Sequence, residues 1–255
     1  MLEENKIHLG DCLDLMPSIP SKSVDMILCD LPYGTTECSW DSIIDLTQLW
    51  QEYERVIKNN GIVVLTAQGL FCTQVISSKT SWYSHEYIWV KNRPSNFAMV
   101  GIQPFRIFEN IVVFKNRKMG KNTFNFDNTI KRTTQRQKSS LNRSMYGKET
   151  RPKEREDKEY TCTEYENYPR NVLYFDSERG IHPTQKPVAL FEYLIKTYTN
   201  EGELVLDNCS GSGTTAIACM NANRRFICIE RDETYHRKSI ERIANHEPLF
   251  HLGGK

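Results

Sequence analysis

A short segment near the N-terminus combines the residue types that can hold a planar amine. Residues 24–29 form an apolar run that predicts a buried strand, and the sequence DLPYG follows at 30–34. A turn there places the Asp30 carboxylate, free backbone carbonyls and the Tyr33 ring together. The oxygens can accept the hydrogens of an amine while the ring stacks on the flat group that carries it. A strand-ending turn without a chemical role is the alternative.

A second segment, DNCSGSGTT at 207–215, has the pattern of a strand, a glycine turn and a helix. In an open α/β sheet a nucleotide-like ligand lies outside the carboxyl end of such a strand, and Gly211 and Gly213 permit a tight turn. Glu230 ends the next predicted strand, where a carboxylate can bind both ribose hydroxyls. Ala216 fits the third position of a dinucleotide fingerprint, so a nicotinamide-dependent dehydrogenase stays an alternative. No GxxxxGK[ST] string occurs, which excludes a phosphate-binding P-loop.

The surrounding sequence alternates between strand and helix patterns. Predicted strands lie at 24–30, 62–65, 87–90, 111–114, 203–207 and 226–230. Predicted helices lie at 69–78, from Pro187 to Tyr198, at 214–222 and at 232–246. This alternation predicts an α/β fold, with a parallel or mixed sheet and helices on both faces.

One further helix is predicted between the first two strands of this series. We expect a cap near Asp41 or Ser42 and an end at the turn signal of residues 59–61. Its apolar stripe has the spacing of one helix face and consists of Ile43, Leu46, Trp50, Tyr53 and Ile57.

Charge is distributed unevenly, although the formal net charge is only +1. Between Lys115 and Arg155 there are 13 basic and 3 acidic residues, so this segment carries +10 and the rest of the chain −9. Residues 131–166 also lack Val, Ile and Phe, so we expect disorder there until a partner binds. A basic insert of this kind suits phosphates, whereas a solvated loop without a ligand is the alternative.

Cysteine usage and hydropathy indicate a reducing compartment. The eight cysteines include no CxxC pair, so neither a zinc site nor a disulfide framework is expected. No run approaches the roughly 18 apolar residues of a membrane span, and the polar N-terminus lacks a secretory signal. We therefore expect a cytoplasmic protein that has no membrane partner and binds no metal.

Three motifs in a fixed order resemble those of the amino-group DNA methyltransferases, which modify adenine N6 or cytosine N4. DLPY at 30–33 is similar to their D-P-P-Y catalytic motif, and 207–215 resembles their D-P-F-x-G-S-G-T-T cofactor motif. IHPTQKP at 181–187 matches their H-P-T-Q-K-P signature. The catalytic motif comes first, then the basic insert, the signature and the cofactor motif, which is the order of the β class. The resemblance extends from about Ile7 to Tyr235.

The resemblance implies roles for individual residues. The implied catalytic residues are Asp30, Leu31, Pro32 and Tyr33. The implied cofactor-binding residues are Asp11, Cys12, Asp30, His182, Thr184, Lys186, Asp207, Asn208, Cys209, Ser210, Gly211, Gly213, Thr214 and Glu230. Candidate DNA-binding residues in and beside the insert are Lys118, Lys131, Arg132, Arg136 and Arg143.

Four of these positions need comment. Leu31 stands where the family has proline, but the family uses the backbone carbonyl there. Asn208 and Cys209 replace Pro and Phe, which removes an aromatic contact to the cofactor. Asp11 follows Gly10 at the expected place for a carboxylate that accepts from the cofactor adenine, and a helix cap is its alternative.

The resemblance also implies an activity. We expect a Rossmann-like methyltransferase that moves a methyl group from S-adenosyl-L-methionine to the N6 amine of an adenine flipped out of double-stranded DNA. Asp at the start of the catalytic motif favours adenine, since the family's cytosine-N4 enzymes more often begin with Ser. The expected parts are a catalytic half (1–115), a target-recognition insert (116–170) and a cofactor-binding half (171–255).

Several questions stay open at the level of sequence. The sequence decides neither whether the chain forms a homodimer, as family members commonly do, nor whether a cognate restriction endonuclease accompanies it. Cytosine-N4 methylation, the dehydrogenase and an inactive DNA-binding scaffold are the competing hypotheses. The intact residues of the catalytic motif argue against the inactive scaffold.

Overall fold

A computed structural model describes residues 1–34, 42–96, 101–116, 122–125, 169–178, 180–181 and 184–246, together with the backbone of 131–136 and 160–165. The strands in these ranges are β1 (Lys6–Leu9), β2 (Val24–Asp30), β3 (Ile57–Ala67), β4 (Tyr83–Ser95), β5 (Arg106–Lys115), β6 (Lys131–Arg136), β7 (Tyr160–Tyr165), β8 (Val172–Tyr174), β9 (Leu204–Asp207) and β10 (Arg225–Glu230). The α-helices are α1 (Cys12–Leu15), α2 (Leu46–Val56), α3 (Gly69–Ser78), α4 (Val188–Tyr198), α5 (Thr214–Asn221) and α6 (Glu233–Ala244).

Eight of the strands form one mixed, mostly parallel sheet in the order β1-β10-β9-β2-β3-β5-β4-β8. The neighbours from β1 to β3 are parallel, β5 is antiparallel to both β3 and β4, and β8 is parallel to β4. The chain leaves β2 toward β3 and leaves β9 toward β10, so the direction of winding reverses between β2 and β9. In open α/β sheets the ligand site lies at such a switch point.

The helices cover both faces of this sheet. The buried side chains of α1, α2 and α3 form one apolar core with one face, including Cys12, Tyr53 and Val75. Those of α4 and α5 form a second core on the other face, including Phe191 and Cys219. β2 lies between the two cores and is buried along its length except at Asp30, which explains its nearly continuous apolar sequence. The predicted α/β class with helices on both faces is therefore confirmed.

The helix predicted before β3 forms with different ends. Its N-cap is Asp45, whose carboxylate accepts from the amides of Thr47 at 2.8 Å and Gln48 at 3.2 Å, so the predicted cap at Asp41 or Ser42 is wrong. The side chain of Ile43 is half exposed and does not belong to the stripe. The helix also ends earlier than expected, at Val56.

Residues 59–61, which were expected to end that helix, instead lie inside β3. Ile57 already pairs with Val24, and the register then shifts so that Ile62 pairs with Met26. A Cβ on Gly61 would lie 2.6 Å from the Ile57 side chain and 2.8 Å from the Asp25 carbonyl. This bulge therefore requires a residue without a side chain, and the glycine marks a close approach of two strands.

The insert contains structure that its composition did not predict. Residues 126–170 form a second compact unit, distinct from the unit made of 1–125 and 171–255. In it, β6 and β7 pair antiparallel from Lys131–Tyr165 to Arg136–Tyr160. Within 131–136 and 160–165, the expectation of disorder is therefore wrong. Alternating backbone hydrogen bonds between two strands order a polar segment without an apolar core.

Three further observations concern membrane spans, cysteines and metal sites. No helix in the described ranges is long and apolar enough to span a membrane. Six cysteines of the described ranges are free thiols, five of them buried. Among the same residues, no group of three or more His, Cys, Asp or Glu side chains has an arrangement that could hold a metal ion.

Candidate active site

The principal cavity lies at the carboxyl ends of the parallel strands. It has a volume of about 670 Å³ and opens at the switch point between β2 and β9. Asp30 ends β2, Asp207 ends β9 and Glu230 ends β10, so three carboxylates from distant segments reach one edge of the sheet. Parallel strands bring these ends together because their directions coincide.

The turn after β2 places Asp30 at the centre of a hydrogen-bond network. Its Oδ1 accepts from the Thr66 hydroxyl, and the Tyr33 hydroxyl lies 2.9 Å from the same oxygen. Its Oδ2 accepts from the Lys186 ammonium at 2.6 Å. The Tyr33 ring stacks on Phe71 with centroids 5.2 Å apart. Burial, followed by the Asp30 charge, raises the pKa of Tyr33 well above its usual value, so the phenol stays protonated.

Lys186 joins this turn to a second carboxylate. Its ammonium lies 3.2 Å from Glu109 Oε2, although no donor in the described ranges has hydrogen-bond geometry to that oxygen. Glu109 Oε1 accepts from Lys91 at 2.5 Å. Burial lowers the pKa of Lys186, but Asp30 and Glu109 outweigh it and the net pKa is raised. Burial raises the pKa of Glu109, but Lys186 and Lys91 outweigh that and the net pKa is lowered. The net pKa shifts therefore favour the charged forms of both Lys186 and Glu109.

The glycine turn after β9 is tied to Glu230. The Glu230 carboxylate accepts from the amide of Gly211 at 2.7 Å and from the amide of Asp232 at 2.8 Å. Burial raises its pKa even so. Gly213 precedes α5 with φ +76°, and a Cβ there would lie 3.2 Å from Ile7 and Ser239. Glycine adopts this left-handed conformation without strain, whereas a side chain at 213 would be both strained and crowded.

Asp207, the last residue of β9, stabilises the same turn through two hydrogen bonds. One carboxylate oxygen accepts from the Cys209 amide at 3.1 Å and the other from the Thr215 hydroxyl. The side chain is fully buried and contacts no cation among the described residues, so burial raises its pKa to about 7.

The two residues that depart from the family motif have identifiable contacts. The Asn208 amide oxygen accepts from the hydroxyl of Tyr53 at 2.6 Å, and both residues are buried. Cys209 lies against Cys12, and hydrogen bonding with Cys209 together with burial raises the pKa of the Cys12 thiol. The substitutions therefore connect the turn to α2 and to the start of α1.

Asp11 serves as the helix cap that the sequence left as an alternative. Its carboxylate accepts from the Leu13 amide at 2.9 Å and begins α1. The residue also lines the cavity. The two roles are compatible because only one of its carboxylate oxygens is used by the cap.

Most of the sequence-predicted site residues surround this one cavity. Those that line it are Asp11, Cys12, Asp30, Leu31, Pro32, Tyr33, Thr184, Lys186, Asp207, Asn208, Cys209, Ser210, Gly211, Thr214 and Glu230. Gly213 is the exception, since it packs behind the turn against β1 and α6. His182 lies outside the described residues. So do Lys118 and Arg143, together with the side chains of Lys131, Arg132 and Arg136.

Sequence reasoning missed three polar residues of the site. Thr66 lies near the end of β3, where it pairs with Asp30. Lys91 on β4 reaches Glu109 on β5 diagonally, since the register partner of Glu109 is Trp89. Glu109 is the one acid within the apolar sequence of β5, and a buried acid of that kind signals a charged partner. Which cation it meets depends on strand register, and no motif in the sequence carries that information.

Comparison with known proteins identifies the family. The family described as DNA methylase matches residues 24–241, which is most of the chain, so the chain belongs to this family and methylates DNA. The chain is 27% identical to Type II methyltransferase M1.MboII of Moraxella bovis, over 92% of this chain and 95% of that protein. It is also 27% identical to DNA adenine methyltransferase YhdJ of Escherichia coli K12, over 96% and 85%.

A solved structure supports the fold. The M1.HpyAVI–SAM complex superposes with a TM-score of 0.63 at 23% identity, covering 93% of this chain and 98% of that one. The predicted Rossmann-like methyltransferase fold is thus confirmed. The dehydrogenase alternative finds no support in these comparisons.

Proposed function

We propose that the cavity binds S-adenosyl-L-methionine and that the chain methylates the N6 amine of an adenine flipped out of duplex DNA at a specific sequence. The observation that carries this proposal is the placement of the DLPY turn and the glycine turn on one cavity. The named relative YhdJ is an adenine enzyme, and M1.HpyAVI was solved with the same cofactor. The cationic sulfonium also suits an edge that carries Asp11, Asp207 and Glu230.

The cofactor is proposed to lie along the glycine turn. Glu230 is held by two backbone amides, which leaves lone pairs on both carboxylate oxygens for the ribose hydroxyls. Asp11 retains one carboxylate oxygen for an amine of the cofactor's adenine. The methyl group is then directed toward the turn after β2.

Asp30 is proposed to accept hydrogen bonds from the target amine together with the Leu31 carbonyl. The adenine amine is a weak nucleophile because its lone pair is delocalised into the ring, and fixed acceptors favour the tetrahedral geometry needed for attack. S-adenosyl-L-methionine, held by Glu230 and Asp11, would supply the electrophilic methyl group and would keep the electron pair of the carbon–sulfur bond. The proton that the methylated nitrogen gives up would pass to the Asp30 carboxylate that accepts its hydrogen bond. Tyr33 provides the aromatic surface for the base.

The insert is proposed to bind the duplex. Lys118, Lys131, Arg132, Arg136 and Arg143 are the candidates for phosphate and base contacts, since their positive charge neutralises phosphates and releases counterions. A homodimer, a cognate restriction endonuclease and a site of action in the bacterial cytosol or a phage-infected cell belong to this proposal as well. The test measures DNA affinity as a function of salt concentration. If these residues contact phosphates, the affinity of the wild type should fall more steeply with salt than that of variants neutralised at these positions.

The decisive experiment measures both the product and the role of Asp30. The purified chain is incubated with a labelled methyl donor and several duplexes, and the nucleosides are separated after digestion. Label in N6-methyladenine is expected, whereas label in N4-methylcytosine would establish the cytosine alternative. Asp30→Ala and the isosteric Asp30→Asn should lose transfer but keep the cofactor-induced rise in melting temperature.

Two results would contradict the proposal. Wild-type rates in both Asp30 variants would refute the mechanism, and absence of label on every DNA would leave the inactive scaffold as the explanation. Expression in a methylation-free host, followed by modification-sensitive sequencing, identifies the recognised site and the modified base together.

A further inference from the structure

A buried chain of four charges extends from the catalytic turn into the sheet. Lys91, Glu109, Lys186 and Asp30 alternate in sign, and successive members are separated by 2.5, 3.2 and 2.6 Å. Lys186 is 6% exposed at its side chain and Glu109 is 10% exposed. Two cations and two anions balance, which a buried cluster requires because an uncompensated charge there is costly.

Asp30 has two competing demands in this arrangement. Its Oδ1 is occupied by Thr66 and Tyr33, so Oδ2 is the oxygen best able to receive the target amine. That oxygen already accepts from Lys186. A lysine with Asp30 as its single counterion would hold the carboxylate tightly and weaken it as an acceptor for the substrate.

Glu109 offers Lys186 a second counterion at the right distance. Its Oε2 lies 3.2 Å from the ammonium, within hydrogen-bond range, yet no donor among the described residues meets hydrogen-bond geometry at this oxygen. A small reorientation of the ammonium therefore suffices to exchange one acceptor for the other. The cost of leaving a buried carboxylate oxygen unpaired is recovered when that exchange takes place.

We propose that Glu109 is a positioning residue that takes over the Lys186 ammonium when the target amine binds to Asp30. This inference rests on the proposed function, since it concerns how that site receives its substrate. Glu109 itself touches neither base nor cofactor in this scheme. Its role is to keep Lys186 charged and held while Asp30 turns its acceptor toward the amine.

The test combines Glu109→Gln with Lys186→Met in single-turnover methylation at saturating cofactor. Glu109→Gln alone should slow transfer on the order of 10- to 100-fold, the value of a hydrogen bond to a charged group, with DNA KM changed by less than about threefold. In the Lys186→Met background the same change should not slow transfer and should partly restore it. Without Lys186, Lys91 is the one cation of this chain of charges that remains to balance both Glu109 and Asp30, and removing the Glu109 charge restores the balance.

A matched control separates positioning from stability. Asp25 is an equally buried carboxylate on β2, paired with Lys58 at 2.8 Å at the opposite end of the strand. Asp25→Asn should lower the melting temperature comparably without changing the rate. Glu109→Asp, which keeps the charge, should restore most of the activity that Glu109→Gln loses and serves if the latter folds poorly.

The outcomes are distinguishable from failure of the proposed function. If wild-type protein transfers no methyl group to any DNA, both the function and this inference are wrong. If the wild type is active and Glu109→Gln stays within threefold of it, the function stands and the inference is refuted. An equal slowing by Glu109→Gln with and without Lys186 would also refute it, because the residue would then act independently of the lysine.

Discussion

Replacing Asp207 with asparagine should change how the stability of the fold depends on pH. The carboxylate is 2% exposed and accepts from the Cys209 amide and the Thr215 hydroxyl, and within the described part of the chain no cation pairs with it. Burial therefore raises its pKa from 3.8 to about 7. The protonated form is favoured in the folded state, so the carboxylate destabilises the fold as it ionises.

The sign and size follow from this shift. Because the pKa of Asp207 is higher in the folded than in the unfolded state, its contribution to the free energy of unfolding is fully present below pH 3.8. That contribution is lost as the pH rises to about 7. Each pKa unit corresponds to about 1.4 kcal/mol, so the full difference is about 4 kcal/mol. Between pH 5 and 7 the wild type should lose roughly 2–3 kcal/mol relative to Asp207→Asn, and little more above pH 7.

The assay is urea denaturation of both proteins at intervals from pH 5 to pH 8. Asp14→Asn, which removes an exposed carboxylate from α1, controls for the loss of one negative charge and should give a curve parallel to the wild type. The reasoning fails if the wild-type and Asp207→Asn curves are also parallel over this range. It fails equally if the wild type gains stability relative to the variant as the pH rises.

Three further variants test the contacts of the glycine turn after β9. Tyr53→Phe leaves the buried amide oxygen of Asn208 unpaired and should cost about 1–3 kcal/mol of unfolding free energy in urea, and an unchanged midpoint would contradict the contact. Gly213→Ala forces a side chain into φ +76° against a crowded wall, so the melting temperature should fall by several degrees, and a neutral effect would show that the turn adapts. Glu230→Gln should lower the apparent cofactor affinity, measured from the rise in melting temperature with cofactor concentration, at least tenfold, while the exposed Glu241→Gln should leave it unchanged. Equal melting-temperature shifts in wild type and Glu230→Gln would show that Glu230 does not bind the cofactor.

The parts of the fold that were predictable carry strong local signals. β2 and β9 are short apolar runs ended by acids, and α3 forms at the predicted residues 69–78. The helix predicted from Pro187 to Tyr198 forms as α4 over Val188–Tyr198. Such elements form wherever their apolar residues can be buried, so the pattern of apolar residues in the sequence is enough to predict them.

The parts that could not be predicted depend on partners distant in sequence. Asp45 rather than Asp41 or Ser42 begins α2, and residues 59–61 read as a helix stop although they form a bulge against β2. Gly61 is there because the Asp25 carbonyl and Ile57 leave no space for a Cβ. A glycine that ends a helix and one that admits a neighbouring strand look the same in sequence.

The candidate site divides along the same line. The sequence alone identifies the residues of the two turns. Each turn has a local signal only a few residues long, an acid at the end of an apolar run in one case and a glycine pair before a helix in the other. It cannot show that Lys186 reaches Asp30, 156 positions away, or that Glu109 shares that lysine with it. Those contacts arise from the parallel order of β9, β2 and β3 and from the register of β4 on β5. Charge balance in a buried site is a property of side chains packed in space, so it became visible with the folded arrangement.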